Sequence, residues 1–429
     1  MINQRRPSDG GPSIPKEEAG AEAATVDGAW RTWLAVGATG FGGPAGQVAI
    51  LHREVVERKR WLTEEEFLAA LRVCMLLPGP EAQQLATYAG WRLGGTTGGL
   101  VAGTLFVLPG ALLVTALAWL HAAGRDVPFV AAAFVGVRPA VVALVALAAW
   151  RIGRKSIGSP LVAALAIAAG VALARGAPFP AVVAVCGALG WLAPTGRTEA
   201  SAPGAPLPRG DAVRHGMVVV AVAGAIWAAC YGIVRLAGAA GGRAPAIAML
   251  FTETTLLSLG GAYAVVPWAL DESLARGWLD GAERFAALAM GEATPGPLIL
   301  VVTFIGFLAG WKAEPASAVA AGLEGAATAT VFAFIPSFAM ILALAPAVRS
   351  IRTGSRLAGA LTAVGAAVVA TIAILAAKLA RDAFVADGTI DVVTVVICGL
   401  AAAALTGAKI PTPLVVLAAA ALGVLRATL

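Results

Sequence analysis

Charge is scarce in this chain. Only 13% of its 429 residues are Asp, Glu, Lys or Arg, against about a quarter in a soluble domain. The shortfall runs the whole length, so it does not come from one buried core, and an ordinary water-soluble fold is excluded. Histidine is nearly absent: His52, His121 and His215 lie far apart, which excludes a histidine-based metal centre. Cys74, Cys186, Cys230 and Cys398 each stand alone in apolar sequence with no C-x-x-C spacing. That excludes a disulfide or zinc framework and leaves packed thiols. Neither G-x-x-x-x-G-K-[ST] nor H-E-x-x-H occurs, so the chain carries no nucleotide-hydrolysing module of its own. The net charge of +6 is small and scattered, which is no nucleic-acid footprint. No metal or cofactor is expected. No apolar stretch leads to a small-residue cleavage site near the N-terminus, so no cleaved signal peptide is expected.

What the chain has instead is apolar length. Hydrophobic residues make up 59% of it, in runs such as Thr96 to Gly124, Ala316 to Val348 and Leu357 to Ala377. A helix crosses the roughly 30 Å hydrocarbon core with about 20 apolar residues. The expected fold is therefore an all-α polytopic membrane protein of 12–13 segments, embedded in the lipid bilayer as a multi-pass protein of a bacterial inner membrane. The segments fall near 30–51, 67–91, 97–123, 128–150, 160–175 and 177–193, then 216–240, then 246–269, 284–311, 316–347, 357–379, 389–406 and 411–427. The two segments within 160–193 are short enough for a tight hairpin. Trp30, Trp33, Trp91, Trp119, Trp150, Trp191, Trp268 and Trp311 fall near the run ends, as interfacial anchors do.

The chain repeats itself. Phe41-Gly42-Gly43, Trp61-Leu62 and Pro78-Gly79-Pro80 in the first half are matched by Leu259-Gly260-Gly261, Trp278-Leu279 and Pro295-Gly296-Pro297 in the second. The interval from Trp to the first Pro is identical, and that from Gly-Gly to Trp differs by one residue. This divides the chain into a polar tail (1–28), a first repeat (29–194), a Pro/Gly-rich linker (195–215), a connecting span (216–240) and a second repeat (241–429). If every segment crosses, the connecting span inverts the second repeat relative to the first, an arrangement common in secondary transporters. Orientation stays open. The positive-inside rule puts the N-terminus in the cytoplasm, yet Arg53, Arg58, Lys59 and Arg60 then fall on the other side. Either 30–51 does not cross fully, or the basic stretch is an interfacial helix.

The matched Pro-Gly-Pro elements carry the strongest chemical signal. A helix cannot run smoothly through them, and broken backbone at membrane depth survives only where protein buries it or a wet cavity adjoins it. Each break also starts a new helix whose free N–H groups and partial positive charge suit an anion. The competing reading is a structural kink. Gly42-Gly43-Pro44 and Gly260-Gly261 either expose N–H groups to a ligand or pack helices closely. Gln84 and Thr294 beside the breaks can hydrogen-bond an oxyanion. Glu81 and Glu292 are candidates for carrying a coupling proton, or else sit near a surface. Arg138, inside an apolar run, either presents its fork to a tetrahedral anion or snorkels to the interface or pairs with a carboxylate. Arg53 and Glu54 open a mixed-charge stretch that reads as an amphipathic surface helix or as a funnel for anions.

Together these residues resemble the chromate ion transporter family in its long two-domain form. The likeness lies in FGGPAGQVAILHREVVERKRWLTEEEF (41–67), LLPGPEAQQLATYAGWRLGG (76–95) and FVLPG (106–110). It recurs in LSLGGAYAVVPW (257–268), GWLDGAERFAALAMGEATPGPLILVVTFIGFLAG (277–310) and FIPSF (334–338). The resemblance implies a transporter, not an enzyme, that exports chromate and confers chromate resistance, with sulfate as the isosteric relative. Phe41, Gly42, Gly43, Pro44, Arg53, Glu54, Trp61, Pro78, Gly79, Pro80, Gln84, Gly260, Gly261, Trp278, Pro295, Gly296 and Pro297 fall on family motif positions. Glu292, where Gln is usual, and Glu81, where a small hydroxyl residue is common, depart from the pattern. The alternatives are transport of sulfate or another oxyanion, including uptake, and a membrane enzyme acting on a lipid-linked phosphate. No Asp/Glu pair at helical spacing within a span favours the enzyme. As a fused chain the protein is expected to work as a monomer or homodimer.

Overall fold

The computed structural model describes residues 26–192, 210–237, 242–350, 355–386 and 389–428. The polar tail and most of the linker lie outside the described residues. The chain opens with α1 (Val26–Thr39) and α2 (Gly43–His52), which continues as a π-helix over Arg53–Arg58. Next, α3 (Glu64–Leu76) and α4 (Glu81–Ala123) flank the first Pro-Gly-Pro. They lead into α5 (Pro128–Ser156), the hairpin of α6 (Pro160–Ala174) and α7 (Phe179–Leu192), and α8 (Asp211–Ala237). The second half holds α9 (Ala244–Leu256), α10 (Ala262–Ala275) and α11 (Gly281–Ala293). A single 3₁₀ turn (Leu298–Leu300) then leads into α12 (Val301–Ala313), followed by α13 (Ala318–Leu344), α14 (Ser355–Phe384), α15 (Val392–Thr406) and α16 (Thr412–Thr428). Apart from a two-residue ladder pairing Val385 with Ile390, the described residues form helices and their connections. The protein is an all-α, multi-pass membrane protein.

By length and composition, α4, α5, α8, α13 and α14 suffice to cross a bilayer, while α6, α7, α12, α15 and α16 are shorter apolar helices. This is fewer full-length helices than the 12–13 segments read from hydropathy. Segments 30–51 and 246–269 are each divided in two. Gly42 (φ 95°) and Gly43 (φ 68°) part α1 from α2, and Gly260 (φ 88°) and Gly261 (φ 95°) part α9 from α10. Such left-handed backbone is open to glycine and interrupts a helix without lowering hydropathy. The 14 residues of α1 reach only about 21 Å, short of the roughly 30 Å hydrocarbon core. Segment 30–51 therefore does not cross as one helix.

Local chemistry sets the helices that bracket the breaks. Thr63 caps α3, its hydroxyl accepting from the Glu66 N–H at 3.2 Å, and three acidic residues in the first turn complement the helix dipole. Asp280 and Glu283 form a reciprocal capping box on α11: Asp280 accepts from the Glu283 N–H at 2.8 Å, and Glu283 accepts from the Asp280 N–H at 2.7 Å. At the other end α3 stops at Leu77, which is extended, because a following proline disfavours the helical region. Within α4 the chain doubles back at Gly94 and Gly95, whose backbone is non-helical. Its two arms, 81–93 and 96–123, pack so closely that a Cβ on Gly90 would lie 2.4 Å from the Gly98 carbonyl oxygen. Likewise α12 meets α13 through Gly306, where a Cβ would lie 2.4 Å from the Gly325 carbonyl oxygen. Small residues here let backbones touch where there is no hydrophobic force between helices.

One aromatic expectation fails. Trp33 is buried, 5.2 Å from Trp61 between ring centroids, so it is a core residue rather than an interfacial anchor. Trp30, Trp119, Trp150 and Trp191 are exposed. Cys74 and Cys186 are buried, Cys230 and Cys398 half-buried, and all four thiols are free.

Candidate translocation site

Each Pro-Gly-Pro lies against the Gly-Gly turn of the opposite half. At the first break Gly79 takes φ 115°, and its N–H donates to Ser258 Oγ at 2.8 Å. Ser258 in turn donates to the Thr255 carbonyl at 2.6 Å. At the second break Gly296 takes φ 95°, and its N–H donates to the Gly40 carbonyl at 3.1 Å. Gln47 Nε2 closes that contact, donating to the Gly296 carbonyl at 2.6 Å. A third layer crosses in the same way. Ser337, following Pro336 in α13, covers the first break, where its Oγ would stand 2.8 Å from a Cβ on Gly79. Gly110, following Pro109 in α4, covers the second, where a Cβ on Gly110 would stand 2.1 Å from the Pro295 carbonyl oxygen.

The two breaks differ in chemistry. The first is lined by buried neutral polar groups. Gln84 Nε2 donates to the Pro78 carbonyl at 2.7 Å, Ser337 donates to Gln83 Oε1 at 2.6 Å, and Gln83 Nε2 donates to Thr87 Oγ1 at 2.9 Å. The helical ladder of α4 begins with Gln84 N–H to the Pro80 carbonyl, so the N–H groups of Glu81, Ala82 and Gln83 start the helix with no backbone acceptor. Free N–H groups and the positive end of the helix dipole suit an anion there. The second break is more apolar, with Leu300 against Gly296. The Thr294 hydroxyl is spent on the Met290 carbonyl of its own helix, and Tyr263 donates to Glu292 at 2.6 Å.

The sequence profile described as "Chromate transporter" matches residues 29–191 and 245–424, which leaves out little beyond the tail, linker and connecting span. The chain belongs to the chromate transporter family. It is 32% identical over 356 residues to a chromate transport protein of Pseudomonas aeruginosa, covering 81% of this chain and 80% of that one. A probable chromate transport protein of Synechococcus elongatus is 27% identical over 92% of this chain and 93% of its own. One named chromate transport protein in Cupriavidus metallidurans is 28% identical over 73% and 72%. No solved structure matches the chain.

Within this chromate transporter fold the expected site residues part into groups. At the second break, formed by Thr294, Pro295, Gly296 and Pro297, Gly296 bonds Gly40 and Gln47, the residues that flank Gly42, Gly43 and Pro44 in sequence. Pro78, Gly79, Pro80, Gln84, Glu81, Gly260 and Gly261 meet around the first, where Glu81 Oε2 lies 3.1 Å from the position of a Cβ on Gly261. The N–H groups of the two break glycines, Gly79 and Gly296, are taken by Ser258 and Gly40. The N–H groups of Ala82 and Gln83, in the first turn of α4, have no backbone acceptor, since the helical ladder starts at Gln84. Phe41 is exposed. Arg53 and Glu54 form the start of the π-helix, where Glu54 pairs with Arg58 at 2.7 Å. Arg138 sits over the Phe285 ring, 5.7 Å from its centroid, one turn into α11 rather than at its break. Ser258, Ser337, Gln47 and Tyr263 were not singled out from sequence. The signal for Ser258 and Ser337 was present: each is a small polar residue in a motif, LSLGG and FIPSF, that mirrors one in the other half.

Proposed function

We propose that the chain is a secondary transporter of a tetrahedral oxyanion, that its cargo is chromate, and that it exports it across a bacterial inner membrane to give resistance. The observation that carries this reading is the pair of broken helices, each closed by the opposite half of the chain. Discontinuous helices in corresponding positions of two halves are where transporters hold their cargo. On this reading residues 29–194 and 241–429 are two repeats, inverted by the connecting span 216–240, which contains most of α8. Rocking one half against the other would exchange the Gly79–Ser258 and Gly296–Gly40 contacts and expose the breaks alternately. Pro78-Gly79-Pro80, Gln84 and the first turn of α4 contact the anion, Pro295-Gly296-Pro297 and Gly42-Gly43 form the matching gate, and Glu292, held by Tyr263, carries a coupling proton. Chromate as cargo is supported by the Pseudomonas and Cupriavidus relatives, which are named chromate transport proteins. Export agrees with energetics: each negative charge leaving an inside-negative cell gains about 2.3 kcal/mol per 100 mV, with no need for a nucleotide.

The test is chromate accumulation in sulfate-starved bacterial cells with and without the protein, then with sulfate added back. Lower accumulation, reversed by changing Pro78, Gly79 and Pro80 to Ala at equal membrane expression, is the expected result. Higher accumulation reverses the direction to uptake. No difference, with the protein verified in the membrane, rejects chromate as cargo and brings sulfate or a lipid-linked phosphate forward.

A further inference from the structure

Gln84 is fully buried, and only one end of its amide is satisfied. Nε2 donates to the Pro78 carbonyl at 2.7 Å, which sets the amide orientation, because the reverse would put two oxygens face to face. Oε1 is left buried with no hydrogen-bond partner. A native interior rarely leaves such an acceptor unmet, and each instance asks for an explanation. The amide stands at the first break itself, its nitrogen 2.7 Å from the position a Cβ on Gly79 would take. Near the start of the same helix Glu81 adds a second acceptor, its carboxylate taking its own backbone N–H, while the N–H groups of Ala82 and Gln83, which have no backbone acceptor, are the donors. The first turn of α4 thus brings together backbone donors and, on Gln84, a buried acceptor with no partner.

An oxyanion that bears no proton can only accept hydrogen bonds, so it would meet Gln84 Oε1 and the Glu81 carboxylate with lone pairs against lone pairs. One that bears a proton satisfies both sides, its bare oxygens taking the helix N–H groups and its O–H donating to the orphan carbonyl. We propose that the first break binds its oxyanion in the protonated, singly charged form, with Gln84 Oε1 accepting the anion's own O–H. This rests on the oxyanion-transport reading and sharpens it. Chromate takes up a proton near neutral pH, whereas sulfate does so only in strong acid. The break therefore separates two ions of the same shape by a hydrogen atom.

The test is equilibrium binding to the full chain in detergent, with chromate titrated at a mildly acidic and a mildly alkaline pH and with sulfate or inorganic phosphate as competitor. Chromate affinity, reckoned on total chromate, should fall about tenfold for each pH unit above neutrality, one proton being taken up with the anion. Phosphate, protonated across this range, should displace it. Sulfate should be weaker by about 100-fold or more, as sites that hydrogen-bond a substrate hydroxyl reject analogues lacking it by up to ~10⁴–10⁵. The Gln84→Leu variant should lose the preference for chromate over sulfate. A pH-independent affinity, or sulfate competing as well as chromate, overturns the proposal while leaving oxyanion transport standing. Sulfate binding with the same pH slope would place the proton on the protein, at Glu81, and also overturns it. Absence of chromate binding at either pH would remove the transport reading itself. The wild-type comparison stands even if the variant fails to fold.

Discussion

The Glu66 and Glu283 side chains are each only 4% exposed, and each meets a cation returning from beyond its break: Arg92 from α4 for Glu66, Lys312 from α12 for Glu283. Both residues sit at the third position of the helix before the break, the same interval ahead of Pro78 and Pro295. Tyr88 adds a 3.0 Å hydrogen bond to Glu66, and Arg125 approaches Glu283 at 3.6 Å. These pairs tie together the outer ends of two half-helices whose inner ends are parted by Pro-Gly-Pro, so they hold each break open against straightening.

Removing one member of such a pair strands the other's charge. Glu283→Ala should leave the partly exposed Lys312 unpaired and unlink the α11 capping box, at a cost of about 1–3 kcal/mol. Thermal melting of the detergent-solubilised protein reads this directly. Exposed Glu57→Ala, 59% exposed, should leave the melting temperature within the small range usual for surface changes.

Ser258→Ala deletes the acceptor for the Gly79 N–H and leaves that N–H buried. The expected destabilisation is about 1–3 kcal/mol, with chromate transport falling further than stability alone would explain. Ser258→Thr keeps the hydroxyl and should recover transport. If both variants transport equally at equal expression, the crossed contact plays no part in gating.

Gly110→Ala forces a methyl to within 2.1 Å of the Pro295 carbonyl oxygen, with backbone on the far side and little room to yield. Overpacking of this kind costs about 1–3 kcal/mol and should displace the second break. Gly43→Ala should be strained by its φ of 68° although a Cβ there would meet nothing within 4 Å. Comparing the two variants by melting and by chromate transport separates crowding from backbone strain.

Asp391, which caps α15 just outside the apolar segment, is held down to a pKa of about 2, chiefly by its hydrogen bond from Arg426 and then by the Thr394 hydroxyl. Its folded value lies below the roughly 3.9 of an unfolded aspartate. The contribution to stability is therefore present above the unfolded value and is lost as pH falls through about 2. Hydrogen-exchange protection at the start of α15, taken relative to the intrinsic exchange rate at each pH, should fall on acidification in the wild type. In Asp391→Asn it should already be low near neutral pH and depend much less on acid.

The membrane class, the helical fold and the two Pro-Gly-Pro breaks were legible along the chain because each depends on neighbouring residues: apolar run length against bilayer thickness, and the missing donor and fixed φ of proline. The glycine breaks at Gly42-Gly43 and Gly260-Gly261 were visible as motifs yet were absorbed into apolar segments, since hydropathy averages over backbone dihedrals. Trp33 looked like an anchor because a tryptophan near a run end reads alike whether lipid or Trp61 receives it.

What the sequence by itself determined is that the chain enters the bilayer as helices and that two of its helical paths must break, because desolvated backbone permits helices and the Pro-Gly-Pro triplet, unlike the single prolines within α4 and α13, stops them. Only the tertiary structure decided what each break faces. Gly79 and Ser258 are 179 positions apart and Gln47 and Gly296 are 249 apart, and no local rule reaches across such distances. The fate of the break N–H groups, taken by the opposite half while Gln84 Oε1 goes unmet, follows from how the two halves pack against each other.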